Sequence, residues 1–123
     1  MLYFAYGSNM AAARLQRRIP SAQRLGVAGL PGYQLRFQVA STQDGSAKAD
    51  AHYTGEDRDL LLGVVFRLEP QSKQVLDGYE GVGVEYRATE VMVERVGVAE
   101  PALIYLGTNL HPPLRPYPWS REQ

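Results

Sequence analysis

Leu60-Leu61-Leu62-Gly63-Val64-Val65-Phe66-Arg67-Leu68 is a near-continuous apolar run in a chain of 123 residues. A run this short, rich in branched side chains and entered from the polar turn Gly55-Glu56-Asp57, predicts a strand buried on both faces. Pro70 then stands where a first helical position belongs. Val75, Leu76 and Tyr79 share one face of a helix that ends near Gly78 to Gly81. A buried strand leading directly into a short amphipathic helix therefore sits at the centre of the fold.

Beyond that helix, Tyr86 to Val96 and Ala102 to Leu106 read as two more strands. On the N-terminal side, Leu2 to Ala5 reads as an opening strand closed by Gly7. Ala11 to Ile19 reads as a helix, with Asn9 as its cap and Pro20 as its stop. Ala22 to Ala28 and Gln34 to Val39 are predicted strands separated by Gly29-Leu30-Pro31-Gly32. Ser41 to Ala47 reads as an exposed loop and Ala49 to Thr54 as a further strand. The strands do not alternate regularly with helices, which argues against a doubly wound parallel sheet. The expected class is α+β: a mixed, closed or nearly closed β-barrel of six to seven strands, with short helices packed outside. Residues 1–123 read as one domain. Its tail at 111–123 holds four prolines from His111 to Trp119 and offers no regular structure.

Composition removes whole classes of function. Thirteen basic residues balance 13 acidic ones, so no basic excess points to nucleic acid. Cysteine is absent, which excludes disulfides, thiolate zinc sites, iron–sulfur clusters and cysteine nucleophiles. No apolar run approaches the roughly 20 residues of a membrane span. The N-terminus has no basic leader before its apolar residues, so the expected compartment is cytoplasmic, with no membrane partner.

Two stretches could carry chemistry. Tyr6-Gly7-Ser8-Asn9 lies between an apolar strand and a helix, where glycine permits a sharp turn. Successive backbone N–H groups there can converge on a carboxylate or a developing oxyanion. An ordinary turn with a helix cap is the plainer reading of the same residues. In Leu76-Asp77-Gly78-Tyr79-Glu80-Gly81, Glu80 falls at a helix C-terminus, where the macrodipole disfavours negative charge. That placement raises a carboxylate's affinity for a proton, which suits a general base and acid working near neutrality. A solvated surface glutamate is the plainer reading here. His52 and His111 are far apart and lack a ligand pattern, so no metal site is expected. None of the serines has nucleophile-elbow surroundings.

Together the two stretches mean more than either does alone. A chain that opens Tyr3-Phe4-Ala5-Tyr6-Gly7-Ser8-Asn9-Met10 and later carries Leu76-Asp77-Gly78-Tyr79-Glu80-Gly81 resembles the γ-glutamylcyclotransferase family with its AIG2-like relatives. Gly63-Val64-Val65-Phe66, Tyr86-Arg87 and Ala102-Leu103-Ile104-Tyr105 fall where that pattern expects strands. The resemblance covers roughly residues 1 to 110. The tail departs from it: Trp119 or Ser120 stands about where the family's late tyrosine is expected, with Tyr117 as the nearest substitute.

The resemblance implies an enzyme whose small-molecule γ-glutamyl substrate attacks itself, its α-amine closing on its γ-carbonyl to give 5-oxoproline and a free amine. By the same resemblance Glu80 carries the proton, Tyr6, Gly7, Ser8 and Asn9 hold the substrate, Tyr86 lines the pocket, and no cofactor or metal takes part. Two alternatives remain open on the sequence. One is a relative that removes a γ-glutamyl group from a specialised metabolite or isopeptide. The other is a non-catalytic small-molecule-binding protein on the same barrel. Oligomeric state is not legible in these residues.

Overall fold

The computed structural model describes residues 1–40, 47–80, 85–108 and 110. Strand β1 (Leu2–Ala5) runs antiparallel to β5 (Leu60–Arg67), with Phe4 opposite Val65. It also meets β7 (Val98–Gly107) in parallel, Tyr3 opposite Leu103. The other edge of β5 pairs with β2 (Gln23–Pro31), and β2 meets β6 (Tyr86–Arg95) at Gly29 and Glu94. A long β6–β7 hairpin completes the closed ring β1-β5-β2-β6-β7. Two further strands, β3 (Tyr33–Ala40) and β4 (Ala47–Tyr53), form a separate two-stranded sheet. Helix α1 (Ala12–Arg18) follows a short 3-10 turn at Gly7–Met10, and α2 (Ser72–Glu80) links β5 to β6. Among the described residues, no helix is long and apolar enough to cross a membrane.

Strand alternation divides the core in two. Phe4, Val65, Val93 and Ile104 belong to one cluster with Leu30 and Leu61, filling the barrel. Their sequence neighbours Tyr3, Ala5, Val64, Phe66 and Tyr105 face outward and are covered by Leu15 and Ile19 near α1 and by Leu76 of α2. The apolar opening strand is thus buried on both faces. Inside the barrel, a Cβ built on Gly63 would stand 2.5 Å from the Ala5 carbonyl oxygen and 2.6 Å from the Phe4 ring. Neither a strand backbone nor a packed ring can retreat cheaply. Gly63→Ala is accordingly expected to cost about 2–3 kcal/mol through overpacking, read as a lower midpoint in chemical denaturation.

Several expectations change. Among the described residues the strands number seven, but five close the barrel and two stand apart, because β3 and β4 satisfy each other over most of their length. Gly29-Leu30-Pro31 is not a turn: these residues pair with Leu62, Leu61 and Leu60, Leu30 is buried, and only Gly32 separates β2 from β3. Ala47, expected in a loop, begins β4, while residues 41–46 lie outside the described residues. β5 is buried on both faces only towards its end. Leu60 and Leu62 are exposed, since the helices cover the other end of the strand's outer face.

The helices change in detail too. Pro70 lies in a turn ahead of α2, its carbonyl accepting from Lys73 N–H, and the helix starts at Ser72. On α2, Leu76 is buried, whereas Val75 and Tyr79 are exposed, so the buried stripe is narrower than the spacing predicts. Asn9 does not cap α1. It is already wound into the 3-10 turn, and the chain straightens at Ala11, which occupies the cap position without a side-chain bond.

The β6–β7 hairpin turns through Val96 and Gly97, with Arg95 opposite Val98. Both central residues have positive φ, 53° at Val96 and 76° at Gly97, as a two-residue hairpin turn requires. A β-branched residue is strained there, and Val96 is 90% exposed. Val96→Asn is expected to stabilise the fold by about 0.5–1 kcal/mol, measured as a raised denaturation midpoint.

Candidate functional site

Where β1 gives way to the 3-10 turn, the barrel opens into a cavity of about 250 Å³. Tyr6 and Gly7 supply its wall from the opening motif, and Ala47, Lys48 and Ala49 of β4 supply the wall opposite. Tyr86 enters from the start of β6 and Tyr105 from β7. Arg14 and Arg18 of α1, Phe37 of β3 and Tyr79 of α2 also line it. Closed-barrel topology brings these distant segments together: β1 lies between β5 and β7, and the small sheet packs across them.

That small sheet is held by a buried carboxylate. Asp50 accepts the Gly107 N–H at 2.8 Å and the Gln38 side-chain amide at 2.6 Å, joining β4 to β7. The walls are cross-tied by phenols. Tyr6 donates its hydroxyl to the Tyr105 carbonyl and Tyr86 donates to the Ala49 carbonyl, each at 2.5 Å. Lys48 pairs with the buried Glu85 at 2.7 Å and lies 5.6 Å above the Tyr86 ring. Across the rim, the Arg18 guanidinium sits 4.1 Å over the Tyr79 ring, linking the two helices.

A second chain of bonds fixes α2 itself. Tyr105 donates its hydroxyl to Asp77 at 2.7 Å, and Lys73 pairs with the other Asp77 oxygen at 2.8 Å. Burial pushes the Asp77 carboxyl upward, but hydrogen bonds from Lys73 and Tyr105, with the Lys73 charge, outweigh it and hold the group below its ordinary value. A depressed carboxyl contributes stability that is fully present above its unfolded pKa of about 3.9 and is lost as pH falls through the folded value. Asp77→Asn is therefore expected to lower the thermal midpoint at neutral pH and to flatten its decline below about pH 4. Melting curves across that range check it.

Tyr6, Gly7 and Tyr86, singled out in the sequence, all line this cavity. Ser8 and Asn9 follow Gly7 on the 3-10 turn; their side chains lie outside what is described. Glu80 is the last residue of α2, directly after the rim residue Tyr79. Its side chain, Gly81, and the whole tail from His111 onward, Tyr117, Trp119 and Ser120 included, also lie outside the described residues. Sequence reasoning did not pick out Arg14, Arg18 or Lys48. The two arginines do carry a signal, since their spacing places both on one face of a short helix just after the motif. Lys48 carries none, because nothing local shows that β4 crosses the cavity.

A family model described as "Gamma-glutamyl cyclotransferase, AIG2-like" matches residues 3–121. The chain belongs to that family. Gamma-glutamylcyclotransferase of Mus musculus is 34% identical over 116 residues, covering 88% of this chain and 60% of the mouse protein. The Homo sapiens protein of the same name is 34% identical over 86 residues, covering 66% of this chain; the match spans 44% of the human protein. A solved gamma-glutamyl cyclotransferase superposes with a TM-score of 0.81 at 32% identity, over 90% of this chain and 68% of that one. YkqA from Bacillus subtilis superposes with a TM-score of 0.76 at 30% identity, over 94% of this chain and 43% of its own. The barrel with its flanking sheet is thus the gamma-glutamyl cyclotransferase fold.

Proposed function

We propose that this domain, residues 1–123, is an enzyme that cyclises a small γ-glutamyl compound to 5-oxoproline and releases an amine. One observation carries the reading: the opening motif, through Tyr6 and Gly7, and the last turn of α2, through Tyr79, line one cavity despite their distance in sequence. Glu80 follows Tyr79 on that turn. Intramolecular attack asks little more of a protein than a folded substrate and one well-placed proton carrier.

In this mechanism Glu80 removes a proton from the substrate's α-ammonium. The freed amine attacks the γ-carbonyl, forming a C–N bond and a tetrahedral oxyanion. Glu80 then delivers the proton to the departing nitrogen, the old C–N bond breaks, the ring nitrogen gives its second proton to the released amine, and 5-oxoproline and the ammonium form of the amine leave. No water is consumed, and no step calls for a metal or cofactor. Backbone N–H groups in the first turn of a helix have no partner within it, so the Gly7–Met10 turn is suited to hold the carboxylate or the oxyanion. A cavity of this size suits a metabolite of dipeptide size, and the cross-tied tyrosines keep its walls rigid.

Incubation with a panel of γ-glutamyl amino acids and γ-glutamyl amines tests the proposal. Stoichiometric 5-oxoproline and free amine are expected from at least one member. Saturable binding of panel members without product would instead make the domain a binding module.

A further inference from the structure

Helix α2 ends with two acidic residues, Asp77 and Glu80, and has no basic residue in its last turn. The macrodipole opposes both. Asp77 is nevertheless held as an anion. Lys73 pairs with one of its oxygens at 2.8 Å, and the Tyr105 hydroxyl donates to the other at 2.7 Å. Burial works against the charge, but these contacts outweigh it, so the carboxyl stays ionised near neutrality. Tying α2 to β7 asks only for a hydrogen-bond acceptor, which asparagine supplies without a charge that offends the dipole.

Glu80 follows Asp77 by three positions on the same helix. Residues so spaced have Cβ atoms about 5–6 Å apart, and like charges there repel. Lys73 lies a further turn back, seven positions before Glu80, so it offsets that repulsion incompletely. The charged groups of the described cavity wall have the opposite sign: Arg14 and Arg18 from α1, and Lys48 from β4, the last matched by Glu85 just ahead of β6. Phenols of Tyr3, Tyr6, Tyr79, Tyr86 and Tyr105 are the remaining titratable groups on that wall. Left unopposed, such cations favour an ionised carboxylate and make it a poor base near neutrality. We infer that Asp77 is a positioning residue acting through Glu80: its fixed negative charge strengthens Glu80's hold on a proton, fitting it to act as base and then as acid near neutrality. The inference rests on the cyclisation reading, in which Glu80 carries the proton.

The test follows the Glu80 carboxyl carbon by NMR across pH in glutamate-labelled protein, its resonance assigned by its loss in Glu80→Gln. Asp77→Asn is expected to move that titration down by about 0.3–1 pH unit, and Lys73→Gln to move it up by a similar amount. Salt should narrow both shifts. For any γ-glutamyl panel member that is turned over, the acid limb of kcat/KM should move with the carboxyl in both variants. A role confined to anchoring α2 would change melting temperature and rate without opposite displacements. Lys73 is exposed over much of its side chain, so Lys73→Gln carries the test alone should Asp77→Asn fail to fold. A Glu80 titration that stays in place, or moves the same way in both variants, would overturn the inference, and continued product formation would leave the cyclisation standing. Opposite shifts with no product from any panel member would keep the coupling and reject the cyclisation. Opposite shifts that the acid limb does not follow would reject Glu80 as the proton carrier, and the inference with it. Neither shifts nor product would reject the two together.

Discussion

Glu80→Gln is expected to lower turnover by about 10²-fold or more while leaving the fold and substrate affinity largely intact. Glutamine nearly matches glutamate in shape but cannot carry a proton between the α-ammonium and the leaving nitrogen. The residue ends α2, where the macrodipole opposes negative charge, and that turn is braced from behind by the Tyr105–Asp77–Lys73 chain. A purely structural glutamate would give the opposite pattern, a lowered thermal midpoint with unchanged turnover. Rates and melting curves on one preparation distinguish the two.

Gly7→Ala is expected to reduce both stability and rate. Gly7 has φ of +65°, a conformation that costs an L-residue about 1 kcal/mol or more, and an added Cβ would lie 3.1 Å from the Ala49 Cβ. The neighbour is a strand residue across the cavity, so relief comes through movement of the turn itself. If that turn presents N–H donors to the reacting carbonyl, misaiming one costs about 10²- to 10³-fold in kcat. A lower midpoint with full activity would assign the turn to scaffolding alone.

The strand at Leu2–Ala5 was legible because four apolar residues run into Tyr6-Gly7, and the Leu60 run was legible because branched side chains crowd a short span. The end of α2 at Glu80 was equally clear, marked by the glycines around it. Where β2 stops was not. Gly29 and Pro31 are turn residues by local chemistry, yet their pairing with Leu62 and Leu60 in the barrel overrides it. Nor could the separation of β3 and β4 from the barrel be read, since partner choice depends on contacts such as Asp50 with Gly107, distant in sequence. For the site, the polar motifs stood out as types, Tyr6 to Asn9 and Glu80. The arginines on α1 matter only through what the topology places beside them.

The central claim is that the substrate, not water, attacks the γ-carbonyl. It is tested most directly by running the reaction in heavy-oxygen water and weighing the products. Ring closure predicts unlabelled 5-oxoproline in step with the released amine. Glutamate carrying one solvent oxygen would show that water is the nucleophile and would contradict the account.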